Sequence, residues 1–167
     1  MQKVIVGKQV KELDALFVKE SGISSYQLME RAANEFCHWF ESKYKKAYTV
    51  NIYCGTGNNG GDGLAIARIL SGMGYEVKVA IIGNQEKGSV DFIKNLKVLP
   101  KKVIESNWRQ LEPRDLCIDA IFGVGINRPL EGEYLDLVQM LNNNEAVKIS
   151  VDMPSGLPSE TPADGEV

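Results

Sequence analysis

A glycine-rich run near residue 60 combines the residue types most suited to chemistry. It lies between a strand-like segment at 48–54 and a helix-like segment at 64–70, and it reads Gly55-Thr56-Gly57-Asn58-Asn59-Gly60-Gly61-Asp62-Gly63. Glycine has no Cβ, so a ligand can approach its backbone closely. The amides and the dipole at the start of the following helix favour an anion. The run therefore predicts a phosphate-binding loop.

The polar side chains of this run exceed what a phosphate requires. Asn58 and Asn59 contribute amides, and Asp62 contributes a carboxylate. A Gly-x-Gly-x-x-Gly spacing alone is a weak signal, and a plain turn is the alternative, but the flanking strand and helix favour binding. We therefore expect an ion or a reacting group beside the phosphate.

Two later loops carry the same combination of glycine with carboxylate or amide groups. They read Asp119-Ala120-Ile121-Phe122-Gly123-Val124-Gly125-Ile126-Asn127-Arg128-Pro129 and Asp152-Met153-Pro154-Ser155-Gly156. Both follow strand-like segments, and parallel α/β sheets bind ligands at the carboxyl ends of their strands. We therefore expect all three loops to meet at one edge of a sheet.

The oxygen-bearing side chains of these loops suggest two kinds of chemistry. Asn59, Asp119 and Ser155 could surround one hard cation. Asp62 and Asp152 remain for proton transfer or for hydrogen bonds to sugar hydroxyls. For Asp119 and Asp152, a capping or turn role is the structural alternative.

Other candidate groups are weaker. The single histidine, His38, falls in the middle of a predicted helix, so a Ser-His-Asp triad built on Ser155 is disfavoured. Cys54 fits strand packing. For Arg128, phosphate binding and a surface role are equally compatible with the sequence.

Alternating apolar patterns predict the elements that must position these loops. The strands are rich in Val and Ile, which indicates burial on both faces, and strand-helix alternation favours a parallel sheet flanked by helices. Predicted helices cover 8–19, 26–44, 63–73, 89–97 and 134–141; predicted strands cover 48–54, 77–82, 116–121 and 147–151, with a weaker segment at 103–104.

Bulk properties exclude several classes of protein. The chain has 167 residues, enough for one domain, and a net charge of -3, which gives no basic field for nucleic acid. No apolar run approaches the roughly 20 residues that span a bilayer, and the first residues do not read as a signal peptide. The three cysteines show neither metal spacing nor a disulfide framework. We therefore expect a cytoplasmic protein that binds neither nucleic acid nor membrane.

These motifs resemble the YjeF N-terminal domain family, the NAD(P)H-hydrate epimerases. The Asn-Asn-Gly-Gly-Asp-Gly run is far more specific than a bare glycine fingerprint, and the resemblance extends over nearly the whole chain. Ala33 and Val124 depart from the residues common in the family. The matching segments are Leu13-Asp14, Leu28-Met29-Glu30-Arg31-Ala32, 55–63 with Ala67-Arg68, Asp119-Ala120 with Phe122-Gly123-x-Gly125, and Asp152-x-Pro154-Ser155-Gly156.

The resemblance implies a Rossmann-like three-layer α/β/α sandwich with a mostly parallel sheet. It implies interconversion of the R and S forms of hydrated NADH or NADPH, potassium held by Asn59, Asp119 and Ser155, a homodimer, and an ADP- or ATP-dependent dehydratase as functional partner. Residues 1–167 would form one such domain, truncated at its C-terminal end. Substrate contacts would come from Asn58, Asn59, Gly60, Gly61, Asp62, Gly123, Val124, Gly125, Ile126, Asn127, Arg128, Pro129 and Asp152.

Inversion at the hydroxyl-bearing carbon requires either breaking and remaking its bond to oxygen or opening the ring. Either route passes through a cationic, iminium-like species, which a nearby carboxylate would stabilise. We expect Asp152 to be this catalytic residue and Asp62 to be the second candidate. Two other functions remain as alternatives: an NAD(P)-dependent oxidoreductase, and a non-catalytic binding or dimerisation module on the same fold. The first would want an acidic residue after the second strand, where the chain has Gly83-Asn84-Gln85.

Overall fold

A computed structural model of the chain describes residues 7–105, 107–124 and 129–157. Five strands and five α-helices alternate along this part of the chain. The strands are β1 (Thr49–Cys54), β2 (Glu76–Ile81), β3 (Ile104–Glu105), β4 (Leu116–Ala120) and β5 (Val147–Ser150). The helices are α1 (Gly7–Ser21), α2 (Ser25–Lys43), α3 (Asn58–Gly72), α4 (Val90–Val98) and α5 (Gly132–Asn143). Short 3₁₀ turns cover Gln85–Lys87, Lys101–Val103 and Trp108–Gln110.

The described strands form one parallel sheet in the order β3-β2-β1-β4-β5. The chain first builds outward from β1 through β2 to β3, and it then returns to place β4 on the other side of β1. This reversal makes the β1–β4 boundary the topological switch point, where open α/β sheets form their ligand crevice. The predicted parallel sheet is confirmed.

Helices cover both faces of the sheet because alternate strand residues enter two separate cores. On one face, Val50 and Ile52 of β1 pack with buried residues of α2, α3 and α4, such as Phe40. On the other face, Tyr53 packs with Trp108 and with Leu137 of α5. Helix, sheet and helix therefore form the three predicted layers.

The start of α2 and its contact with α3 follow local sequence signals. Ser24 and Gln27 form the predicted capping box, in which each side chain bonds the other residue's backbone N–H. Further along α2, Glu30 accepts two bonds from the Arg68 guanidinium of α3, at 2.5 and 2.6 Å. This ion pair ties α2 to the helix that follows the glycine-rich run.

The boundary of α3 differs from the predicted one. The helix begins at Asn58 rather than near residue 63, so most of the polar run forms its first turns instead of a loop. Glycines are unfavourable inside a helix on propensity alone, but here they fit tight packing. A Cβ on Gly60 would lie 1.8 Å from the Gly55 carbonyl oxygen, and one on Gly63 would lie 2.5 Å from the Ala120 Cβ. Tertiary contact thus outweighs local propensity.

Among the helices of the described residues, none is long and apolar enough to cross a membrane.

Candidate active site

The loops after β1, β4 and β5 meet at one edge of the sheet and are joined by direct hydrogen bonds. The Gly55 N–H donates to the Ala120 carbonyl at 3.1 Å. The Asn59 side-chain amide donates to the Phe122 carbonyl at 2.8 Å. The Val124 N–H donates to Asp152 Oδ2 at 2.9 Å. The three polar loops singled out in the sequence therefore share one edge.

Gly123 allows two of these loops to touch. A Cβ at this position would lie 2.3 Å from Asp152 Oδ2 and 3.5 Å from the Asn59 Cβ. Any larger residue would push the Asp152 carboxylate away from the start of α3. Glycine is therefore a steric requirement here, because it brings Asp152 beside Asn59.

Half-buried Asp119 and buried Ser155 form a hydrogen-bonded pair beneath the loops. Asp119 Oδ1 accepts from the Ser155 hydroxyl at 2.7 Å and from the Ile121 N–H at 3.1 Å, while Oδ2 accepts from the Ser155 N–H at 2.7 Å. Burial raises the pKa of Asp119, and the hydrogen bonds from Ser155 and Ile121 oppose this rise. The Ser155 hydroxyl also accepts from the Phe122 N–H at 3.1 Å. The pair fixes the loop after β5 against the end of β4.

Asn59 carries a buried acceptor that nothing in the described structure satisfies. Its Nδ2 bonds the Phe122 carbonyl, but its Oδ1 has no hydrogen-bond partner. A buried, unpaired acceptor is costly, so such an atom in a folded protein calls for a partner such as an ion or a ligand donor. The Phe122 peptide connects this amide to Ser155, since its carbonyl bonds Asn59 and its N–H bonds the serine.

The oxygen atoms around Phe122 fit a cation that is held by neutral oxygens and one carboxylate. Asn59 Oδ1 has no hydrogen-bond partner. The Phe122 peptide that bonds Asn59 also bonds Ser155, and Ser155 in turn bonds Asp119. Hard cations take such ligands. Within 7–105, 107–124 and 129–157, no group of three His, Cys, Asp or Glu side chains is arranged to hold a metal. Apart from the Asp119 carboxylate, an ion at this place would therefore depend on amide and hydroxyl oxygens.

A cleft of about 1390 Å³ opens above the loops and extends toward α1 and α2. Its apolar side is formed by residues such as Met29 and Phe36. Its charged lining is entirely acidic among the described residues: no Lys or Arg of that part of the chain faces it. The acidic lining residues are Asp14, Asp62, Asp91, Glu131 and Asp152. The described lining of the cleft is therefore acidic, although one of these carboxylates, Asp91, pairs with Lys94 at 3.1 Å.

Asp62 holds its proton unusually tightly. Burial, followed by the negative charges of Asp152, Asp14 and Asp91, raises its pKa from 3.8 to about 7. A carboxyl group with a pKa near neutrality can both donate and accept a proton under physiological conditions. Strongly perturbed carboxyls in clefts are typical of functional sites.

Asp152 differs from Asp62 in its setting, because it is exposed to solvent and one of its oxygens bonds the Val124 N–H. This bond fixes the direction of the carboxylate. The two residues thus form an unequal pair, with Asp62 recessed in the first turns of α3 and Asp152 at the cleft surface.

The structure separates the predicted substrate-binding residues into lining and supporting groups. Asn58, Asn59, Asp62, Gly123, Val124, Pro129 and Asp152 line the cleft. Gly60 and Gly61 are buried below it, where a Cβ on Gly61 would meet Met29 and Phe92. Asp119 and Ser155 lie in the supporting layer. Residues 125–128, which include Gly125, Ile126, Asn127 and Arg128, lie outside the described residues.

Asp91 and Tyr134 are among the cleft residues that were not predicted from the sequence. Asp91 is 5% exposed at the start of α4 and pairs with Lys94 at 3.1 Å. Tyr134 lies in the first turn of α5 and packs its ring on Phe122 at 4.9 Å. Neither belongs to a motif, and only the tertiary packing of α4 and α5 brings them to the site. Asp14 entered the sequence analysis only through the family resemblance.

Comparison with known proteins places this cleft in a family context. A match to the family described as YjeF-related protein N-terminus covers residues 25–166. The chain belongs to this family. An NAD(P)H-hydrate epimerase of Limosilactobacillus reuteri (strain DSM 20016) is 37% identical over 171 aligned residues, which cover 99% of this chain and 78% of the relative.

Two further relatives and one solved structure extend this likeness. The NAD(P)H-hydrate epimerase of Oenococcus oeni (strain ATCC BAA-331 / PSU-1) is 38% identical over 92% of this chain and 74% of its own length. A protein of Thermofilum pendens named bifunctional NAD(P)H-hydrate repair enzyme Nnr is 34% identical over 95% of this chain but only 32% of its own length. The crystal structure of yeast ynu0 (YNL200c) matches with a TM-score of 0.75 and 29% identity, over 93% of this chain and 72% of that one.

Proposed function

We infer that this chain is an NAD(P)H-hydrate epimerase, an isomerase that interconverts the R and S forms of hydrated NADH and NADPH. The observation that carries this conclusion is the cleft at the β1–β4 switch point, which is lined by Asp62 and Asp152. In this cleft, burial and the negative charge of Asp152 raise the pKa of Asp62. A relative named as an epimerase aligns with 99% of the chain, which includes the segments that carry Asp62 and Asp152.

The acidic cleft suits the charge that develops in this reaction. The hydroxyl to be inverted is on a carbon next to the nicotinamide ring nitrogen, whose lone pair can stabilise loss of the hydroxyl. The resulting iminium-like species is cationic, whereas the starting ring is neutral. Fixed negative charges therefore stabilise the transition state more than the ground state, which is the requirement for catalysis.

Asp62 and Asp152 provide the proton transfers. One carboxyl group protonates the departing hydroxyl so that it leaves as water, and a carboxylate removes a proton from the water that returns to the other face. We propose Asp152 as the group at the reacting carbon, since the Val124 N–H fixes its direction. The near-neutral pKa of Asp62 makes it the proton reservoir beside it.

We propose that potassium is the ion held by Asn59, Asp119 and Ser155. The unpaired Oδ1 of Asn59 supports this choice, because it is a buried oxygen that lacks a donor. When bound, the ion supplies positive charge next to the acidic cleft and helps to accommodate the anionic part of the substrate. Asn59 would direct its side-chain oxygen at the ion, and the Asp119–Ser155 pair would hold the loop after β5 against the end of β4.

The phosphate group next to the nicotinamide ribose would bind at the start of α3. Gly57 is the N-cap of this helix and provides no side-chain cap for the first amides, and Gly57, Asn58 and Asn59 line the cleft. Asn58 would bond the same group. Further expectations are a homodimer, a cytoplasmic location and a dehydratase that consumes the S form; the bifunctional name of the Thermofilum relative supports the last of these.

The direct test is to mix purified protein with the R-hydrate of NADH and follow the epimer ratio by chromatography. We expect the mixture to approach its equilibrium ratio far faster than buffer alone. If the ratio changes at the uncatalysed rate with a folded protein, the epimerase assignment is wrong and a binding module on this fold becomes the better account.

A further inference from the structure

The end of β2 does not line the cleft, where a dinucleotide-binding fold would hold its second nucleotide. In dinucleotide-binding Rossmann folds, the residue after β2 is acidic and bonds the adenosine ribose. Here the corresponding residues are Gly83 and Asn84, and Asn84 Oδ1 accepts from the Glu86 N–H at 3.0 Å, within its own turn. Neither residue carries a carboxylate, and Glu86, which follows them in the turn, does not line the cleft.

Tyr134 fills the space over this strand end. Its hydroxyl lies 3.5 Å from the Ile82 carbonyl oxygen, and a Cβ on Gly83 would be 2.5 Å from the same hydroxyl. Tyr134 belongs to α5, and its side chain contacts the residues that directly follow β2. Its ring is held by Phe122, with 4.9 Å between ring centroids.

The loop after β2 closes the same region from the other side. The Ser89 N–H donates to the Thr56 carbonyl at 2.9 Å, which draws this loop onto the glycine-rich run. Thr56 and Tyr134 both line the cleft. No residue of 67–90 lines it, and the structure describes that whole stretch. The cleft ends at the Thr56–Tyr134 wall.

The rest of the cleft does not suit the phosphates that would link to an adenosine. Its described charged lining consists of Asp14, Asp62, Asp91, Glu131 and Asp152 without a Lys or Arg. A diphosphate moving past these carboxylates toward α1 and α2 would be repelled. One phosphate can stay at the start of α3, where the amides are, with the nicotinamide ring directed into the acidic part.

We propose that recognition ends at the first phosphate, so that the substrate class of this site is the hydrated nicotinamide mononucleotide unit, whether free or carried within a dinucleotide. This inference rests on the proposed epimerase function. The adenosine half of the dinucleotide stays outside the Thr56–Tyr134 wall and contributes little to binding or catalysis. Hydrated, reduced nicotinamide mononucleotide is then itself a substrate.

The test compares the R-hydrates of reduced nicotinamide mononucleotide, NADH and NADPH on the same protein. We expect the three kcat/KM values to agree within about tenfold. If adenosine had its own subsite, the truncated substrate would lose binding energy that the enzyme uses in catalysis, and its kcat/KM would fall by about a hundredfold or more. That fall, with normal turnover of the dinucleotides, would overturn this inference and leave the epimerase function intact.

Failure of all three substrates would overturn the epimerase function and this inference with it. The wall itself is tested with Tyr134→Ala and, as the matched variant that keeps the ring, Tyr134→Phe. Tyr134→Ala should open the wall and so change the ratio of kcat/KM for NADH hydrate to kcat/KM for the mononucleotide hydrate. Tyr134→Phe should keep the wild-type ratio. An unchanged ratio in folded Tyr134→Ala would show that Tyr134 does not limit the site.

Discussion

At the scale of single residues, the site depends on carboxylates placed in unequal environments. Asp62 is partly buried near three other acidic groups, Asp152 is exposed with one oxygen bonded, and Asp119 is bonded through both of its oxygens. The sequence identified all three as candidates because they follow strands within polar, glycine-bearing loops. It could not rank their pKa values, since burial and the neighbouring charges of Asp14 and Asp91 arise only from tertiary packing.

The raised pKa of Asp62 makes the protein's stability depend on pH. Between about pH 4 and 7 the folded protein keeps a proton on Asp62 that the unfolded chain has lost, so the free energy of unfolding falls as pH rises through this window. Asp62→Asn removes the charge and should stabilise the protein above pH 7, on the order of 2 kcal/mol, with little gain near pH 4. Urea unfolding at several pH values measures this difference.

Asp136→Asn is the control for that experiment, because Asp136 is an exposed carboxylate paired with Arg109 on the surface of α5. It should not reproduce the pH-dependent gain. Equal unfolding free energies for wild type and Asp62→Asn at pH 8 would contradict the assigned pKa.

At the scale of elements, α3 is the part of the fold on which the site most depends. Its first turns carry Asn58, Asn59 and Asp62, and its glycines let it pack against the ends of β1 and β4. The alternating pattern was sufficient to predict the strand and helix order, because buried parallel strands leave a clear Val/Ile signal. The pattern placed the start of α3 too late, because helix propensity counts glycine as a breaker and does not register close tertiary contact.

The packing of α3 can be tested with two alanine substitutions in the same helix. Gly60→Ala would place a Cβ 1.8 Å from the Gly55 carbonyl oxygen, so the helix must shift, and we expect a loss of about 2–4 kcal/mol in unfolding free energy. Gly72→Ala meets nothing within 4 Å and should be neutral or slightly stabilising. Chemical denaturation of both variants measures the contrast, and similar losses would contradict the packing described for Gly60.

At the scale of the whole molecule, the strand order brings three distant segments to one edge. The order β3-β2-β1-β4-β5 places the loops after β1, β4 and β5 side by side, as the carboxyl-end rule predicts for parallel sheets. The predicted three layers and the convergence of loops came from general rules of α/β folds. The Thr56–Tyr134 wall did not, because it depends on a side chain of α5 that contacts the residues after β2.

An ion bound among these loops should stabilise the whole fold by mass action. We expect the Tm of the wild type to rise when potassium replaces a large organic cation at equal ionic strength. Asn59→Ala removes the unpaired Oδ1 and should abolish this rise; Asp119→Ala should do the same, provided that it folds without its bonds to Ser155. A wild-type Tm that is indifferent to the two cations would contradict the potassium proposal.

The most direct test of the account is the rate at which pure R-hydrate of NADH epimerises with wild type, Asp152→Asn and Asp136→Asn. We expect Asp152→Asn to bind the hydrate but to epimerise it about two to four orders of magnitude more slowly, the range for a lost general acid or base. Asp136→Asn should retain the wild-type rate, because this exposed residue lies outside the cleft. Near-normal turnover by folded Asp152→Asn would contradict the assignment of the chemistry to the loop after β5.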